Sequence, residues 1–201
     1  MRTLLLAGAL ASIPGAVFAQ SHDEATFGGV KIGTSIDYRW HDGDFAVPRI
    51  AGKVDEKEGG IGFRGHAGYD LQLGSAFLVG VEGGIGRGGK KLTASNTTGD
   101  YTLKPRWTWD VSGRAGVLPT SNVLLYGRAG YSWLRGRENT DFHAANLNDL
   151  KSSGTEKGFL WGAGAEAALA PGFYARAEYD RVNYRDGLKS SKILLGLSMG
   201  F

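Results

Sequence analysis

His66, Glu82, and His143 with Ser152 or Ser153 are the residues in this 201-residue chain whose types could carry acid–base or acyl-transfer chemistry. A histidine beside a carboxylate can act as a general base, and a serine activated by a histidine can attack an ester. Their surroundings do not support either reaction. Of the four histidines, His22, His41, His66 and His143, only His66 sits inside a regular pattern, and no second histidine lies at metal-ligand spacing. His143, Ser152 and Ser153 fall in a polar connection with no recognisable motif. The run Gly84-Ile85-Gly86-Arg87-Gly88-Gly89-Lys90 begins like a phosphate-binding loop, but Lys91 stands where a serine or threonine is needed and no helical pattern follows. The chain has no cysteine, which excludes disulfides, thiol catalysis and cysteine-held metals. No catalytic, cofactor-binding or metal residue is assigned. Arg87, Lys90, Lys91, Arg135, Arg137 and Lys189 could grip lipid phosphates, although a plain solvated loop is the simpler reading of them.

What must position these residues is a repeated two-residue alternation, the mark of strands with unlike faces. Eight such runs follow one another: Phe27 to Trp40, Gly60 to Leu73, Phe77 to Gly86, one through Trp107 to Val117, Val123 to Leu134, Phe159 to Leu169, Phe173 to Asp180, and Lys192 to Phe201. The seventh loses its phase near Arg181-Val182, as at a bulge. Tight connections at Gly74-Ser75, at Leu118 to Asn122 and at Ala170-Pro171-Gly172 alternate with long polar ones at 41–59, 87–106, 135–158 and 183–191. Outer-membrane barrels alternate short periplasmic turns with long outer loops in this way. Tyr38, Trp40, Phe63, Trp107, Trp109, Tyr131, Trp133, Phe159, Trp161 and Tyr179 gather near the long-loop ends. Phe27, Phe77, Phe173 and Phe201 gather near the short turns, giving two aromatic girdles. The fold class read from this is all-β, an eight-stranded antiparallel up-and-down transmembrane β-barrel. A soluble barrel with its apolar face inward shares the period and is the alternative.

If the apolar faces meet lipid, the polar faces meet each other. Lys31, Arg39, Arg64, Arg114, Arg128 and Arg176 then share the interior with Asp37, Asp70, Glu82, Asp110, Glu166, Glu178, Asp180 and His66. Near-balance of sign points to a plug of ion pairs, whereas a selective pore favours one sign. The expected lumenal network is Arg64, His66, Glu82, Asp110, Arg114, Arg128, Glu166, Arg176 and Glu178. A turn centred on Pro171 would set Glu166 against Arg176 and Leu169 against Phe173.

Both ends of the chain suit this reading. Arg2, the apolar stretch Leu4 to Ala11 and the Val17-Phe18-Ala19 site predict a cleaved secretory signal over 1–19, leaving a barrel domain over 20–201. The last run places Ile193, Leu195, Leu197, Met199 and Phe201 on one face, with Phe201 as the expected insertion signal read by the barrel-assembly machinery. The mild net charge of +3 gives no case for nucleic acid.

Three segments carry a family resemblance: Leu124 to Tyr131, Gly158 to Glu166, and Phe173 to Asp180. They resemble the fifth, sixth and seventh strands of the small outer-membrane surface antigens, the opacity-type, porin-family barrels of alphaproteobacteria. Gly200 departs from that pattern, where relatives often carry a basic residue before the terminal Phe. The resemblance implies a surface-exposed, eight-stranded barrel of the bacterial outer membrane with a role in envelope integrity, at most weak porin activity, and no catalytic residues. Its expected partners are outer-membrane lipids and lipopolysaccharide. A loop-mediated adhesin and a lipid-A-modifying enzyme remain as alternatives.

Overall fold

The computed structural model describes residues 27–43, 45–46, 53–54, 58–89, 92–96, 99–142, 150–184 and 188–201. The predicted signal segment lies outside them. Eight long strands form the wall: β1 (Gly29–Gly43), β2 (Glu58–Leu73), β3 (Phe77–Gly88), β4 (Gly99–Thr120), β5 (Val123–Phe142), β6 (Leu150–Ala170), β7 (Phe173–Tyr184) and β8 (Leu188–Gly200). Each pairs antiparallel with its chain neighbours, and β1 pairs with β8 to close the ring. At the seam, Val30 N–H donates to Phe201 O at 3.2 Å and Phe201 N–H donates to Val30 O at 2.9 Å. Closure is what lipid demands, because a backbone N–H or C=O without a partner in hydrocarbon costs several kcal/mol (on the order of a lost hydrogen bond plus desolvation).

The register fixes the barrel's dimensions. One row of partners runs Phe63, Ile36, Leu195, Ala177, Ala165, Leu125, Val117, Phe77 and back to Leu73 on the starting strand. The circuit returns ten residues from its origin, since 73 and 63 differ by ten. Eight strands with that stagger tilt by about 40° and enclose a ring of roughly 8 Å radius, which side chains can fill. Apolar side chains point outward around the whole circuit: Ile36, Phe63, Leu195 and Phe77 are 57%, 63%, 64% and 58% exposed. The soluble alternative, with its apolar face inward, is thereby excluded.

Several expectations need correction. Phe27 does not belong to the lower girdle; it is buried inside the lumen. Strand β7 does not lose its phase, because burial alternates without interruption from Tyr174 through Tyr184. What changes near Val182 is polarity: Val182 and Tyr184 face inward while Arg181 and Asn183 do not. The bulge lies lower, between Phe173 and Tyr174, so Phe173 pairs with Ala170 and Leu169 is skipped. Above it Arg176 stands opposite Glu166. The turn itself is Pro171-Gly172, with Gly172 at φ 74°, the left-handed second position that a type II turn gives to glycine.

The outer connections also differ from their sequence boundaries. β4, β5 and β6 run for 22, 20 and 21 residues, so much of the stretches assigned to loops continues as ladder. A further strand, Leu92–Asn96, pairs only with the upper part of β4. Between β7 and β8 only residues 185–187 separate the ladders. The long outer segments are therefore mainly extended hairpins on the β3–β6 side. Replacing Leu195 by Arg puts a charge at mid-height on the lipid face. It should cost about 2–4 kcal/mol in urea unfolding from lipid vesicles, whereas Leu195→Ile should change stability by less than about 1 kcal/mol.

Candidate functional site

The inward faces of the eight strands meet in three layers. At the short-turn end, Phe27, Leu78, Leu118, Leu124, Tyr126 and Tyr174 form an apolar plug. The Phe27 and Tyr174 rings lie 5.1 Å apart. Towards the opposite end, Leu134, Leu160, Val182 and Tyr184 are buried, with Leu160 and Val182 directly opposed across β6 and β7. Between these layers lies the charge. Seven cations (Lys31, Arg39, Arg64, Arg114, Arg128, Arg176 and Lys192) and seven carboxylates (Asp37, Asp70, Glu82, Asp110, Glu166, Glu178 and Asp180) are all buried.

Glu82 on β3 is the hub. It meets Arg64 at 2.9 Å, Arg176 at 2.7 Å, Arg128 at 3.4 Å and Arg114 at 3.7 Å. Arg64 also donates to both oxygens of Asp110, at 3.1 and 2.7 Å. Arg128 bridges Asp110 at 2.5 Å and Glu178 at 2.7 Å. Glu166 accepts from Arg176 at 2.6 Å, Arg114 at 2.8 Å and Lys31 at 2.5 Å. Arg114 forks onto Asp70. Tyr126 donates its hydroxyl to Glu178 at 2.6 Å, tying the lower plug to the network. Arg39 and Asp37 pair two residues apart on β1. A buried carboxylate is tolerated only when its charge and lone pairs are matched, and multiple guanidinium forks do that.

Glycines make room for these side chains. A Cβ on Gly84 would stand 2.5 Å from the Arg64 Cζ, and one on Gly62 would stand 2.8 Å from Asp37 Oδ1. Gly84 belongs to the run that imitates a phosphate loop; in the structure it is a strand position over which a guanidinium lies.

The structure brings Arg64, Glu82, Asp110, Arg114, Arg128, Glu166, Arg176 and Glu178 into one connected network. It places His66 beside them, its Nε2 3.1 Å from Ser198 Oγ rather than on a carboxylate. Lys192 escaped the sequence reading, although it holds the same parity as Leu194 and Ser198. It pairs with Asp180 at 3.2 Å and brings the two signs level. The plug residues also escaped it, because apolar side chains on an inward parity read as outward ones. His22, His143, Lys90 and Lys91, and the side chains of His41, Arg137, Ser152 and Ser153, lie outside the described residues.

A closed eight-stranded ring, lipid-directed apolar faces and a polar interior define an outer-membrane β-barrel. The chain belongs to the outer membrane protein β-barrel domain family, whose model matches residues 4–201. It is 29% identical over 137 residues to the 31 kDa outer-membrane immunogenic proteins of Brucella melitensis biotype 1 and Brucella suis biovar 1. That match takes in 65% of this chain and 57% of each relative, so the chain spans little more than half their length. Among solved structures it is similar to Ail, the attachment invasion locus protein of Yersinia pestis. There the TM-score is 0.56 at 18% identity, over 87% of this chain and 99% of Ail. Neisserial surface protein A is similar with TM-score 0.53 at 18% identity, over 86% of this chain and 97% of that one. These likenesses carry the fold. The chain is an outer-membrane surface antigen homologue, and its family places it in the bacterial outer membrane.

Removing one member of the network strands its partners. Glu82→Ala leaves four guanidinium groups facing one another and should cost about 3–5 kcal/mol in urea unfolding from vesicles. Glu82→Gln, which keeps a hydrogen-bonding oxygen, should cost measurably less. Equal stability of Glu82→Ala and the parent would show that the hub contributes nothing.

Proposed function

We propose that this barrel is a sealed structural anchor that presents the extended β3–β6 hairpins at the cell surface, and not a solute pore. The observation that carries this reading is the three-layer lumen. A conducting path would have to pass the Phe27–Tyr174 plug, a charge layer of seven cations and seven carboxylates, and the Leu160–Val182 layer. Balanced, mutually paired charges give a permeating ion no unmatched field to follow. The reading is non-enzymatic as well. Among the described residues the lumenal carboxylates are paired with guanidinium and ammonium groups, and His66 faces Ser198 rather than a carboxylate.

Planar-bilayer recording tests the pore question directly. The refolded protein should show no discrete conductance steps at neutral pH in molar potassium chloride. Leu78→Gly combined with Arg64→Ala and Arg128→Ala, which empties both the plug and the hub, should open measurable steps if the variant still gives the heat-modifiable band of a folded barrel. Steady unitary steps from the parent protein would overturn the sealed-anchor reading.

A further inference from the structure

The outward face of the upper wall carries a charge pattern of its own. Trp107 on β4 stands between Arg87 on β3 and Arg135 on β5 in a single row of partners. The next row down sets Trp109, Trp133 and Lys157 side by side across β4, β5 and β6. Arg87, Arg135 and Lys157 are exposed, and the Arg87 guanidinium lies over the Trp107 ring at 5.4 Å. Where carboxylate side chains are described, they lie elsewhere: seven are buried in the lumen, and Glu156 holds the inward parity of β6. Among the described side chains, the charges of this sector at the level of its tryptophans are thus all cationic, and the headgroups of the outer leaflet begin there.

Below it the wall recedes. Gly113, Ala115, Gly127 and Ala129 floor a shallow hollow of about 540 Å³ on the outside of β4 and β5. It lies six residues down β4 from Trp107, roughly 20 Å along the strand and some 15 Å deeper in the bilayer at the barrel's tilt. On its β3 side the hollow is flanked by the bulkier, exposed Val81, opposite Gly113, while on β6 Ala163, opposite Gly127, is again small.

We infer that the β3–β6 face binds the phosphorylated sugar headgroup of lipopolysaccharide, with Arg87, Arg135 and Lys157 as its phosphate ligands. The charge complementarity carries the assignment. Arg87 and Arg135 are two strand spacings apart, about 10 Å, with Lys157 one strand further on. That spread suits a headgroup with more than one phosphate better than the single phosphate of a glycerophospholipid. Guanidinium groups grip phosphate in two-pronged fashion, and Trp107 holds one of them in place by stacking. The acyl chains of such a lipid would run down over the tryptophans towards the hollow. The inference rests on the membrane placement of the barrel and not on the lumen being sealed.

The test is native mass spectrometry of the barrel refolded in detergent with bisphosphorylated lipid A, its dephosphorylated form, or phosphatidylglycerol. The parent should retain bisphosphorylated lipid A at least tenfold more than either of the others. Arg87→Gln/Arg135→Gln/Lys157→Gln should lose that preference, whereas Lys189→Gln, outside the sector, should keep it. Equal retention of the phosphorylated and dephosphorylated forms, or a phosphatidylglycerol preference, would overturn the inference with no variant needed. So would a folded triple variant that binds like the parent. Single-channel conductance does not enter any of these outcomes, so a failed seal and a failed lipid site are told apart.

Discussion

Hydrocarbon offers no partner to a backbone N–H, and that constraint governs the whole molecule. It forces the sheet to close on itself through β1 and β8, and closure with a ten-residue stagger sets a ring about 8 Å in radius. A ring of that size has neither the width for an open water channel nor the width for a conventional apolar core. Side chains from all eight strands must reach the same axis. The 33 glycines in the chain make this feasible. Gly84 and Gly62 let Arg64 and Asp37 lie flat against a neighbouring strand, so long polar side chains fill the space without displacing the wall.

Filling that space with charge is costly, and an apolar filling would often be as stable. The charged filling gives the sheet an unambiguous inside. A strand's side chains exchange faces when its register slips by one residue. In a barrel apolar on both faces such a slip would be cheap. Here it would carry Arg114, Arg128 and Glu166 into lipid and bring Leu125 and Ala165 inward. The apolar plugs fit the same logic, because they lie at the two ends of the lumen, above and below the charge layer.

The alternation made most of this legible from sequence. Outward Ile36, Phe63 and Leu195 and inward Arg64, Glu82 and Glu166 all follow from period two. Alternation misleads where polarity and direction part company. Val182 and Tyr184 are inward although apolar, because near the rim the lumen is capped while the outer face leaves the hydrocarbon. Phe27 holds the inward parity of Lys31 and Asp37 at the start of its run, but an aromatic near a short turn reads as a girdle residue. Lys192 opens the last run, whose inward face otherwise reads as Leu194, Gly196, Ser198 and Gly200, so its single charge does not stand out as lumenal. The height of β4 to β6 was hidden for a related reason. Above the membrane neither face needs to be apolar, so the pairing continues while the pattern that reveals it stops. The row Arg87, Trp107 and Arg135 was invisible for want of a register: the three are far apart in the chain and become neighbours only through strand pairing.

The ion pairs also change what kind of object the ring is. Lys31 reaches from β1 to Glu166 on β6, Arg114 from β4 to Asp70 on β2, and Arg64 from β2 to Asp110 on β4. None of these pairs joins adjacent strands. They act as struts across the bore. A cylinder held by its wall alone flattens readily into an ellipse, because hydrogen-bonded ladders hinge along their length. Cross-struts oppose flattening in several directions at once, so lateral pressure from the bilayer meets a stiff section whose elasticity is set by side chains rather than by the sheet.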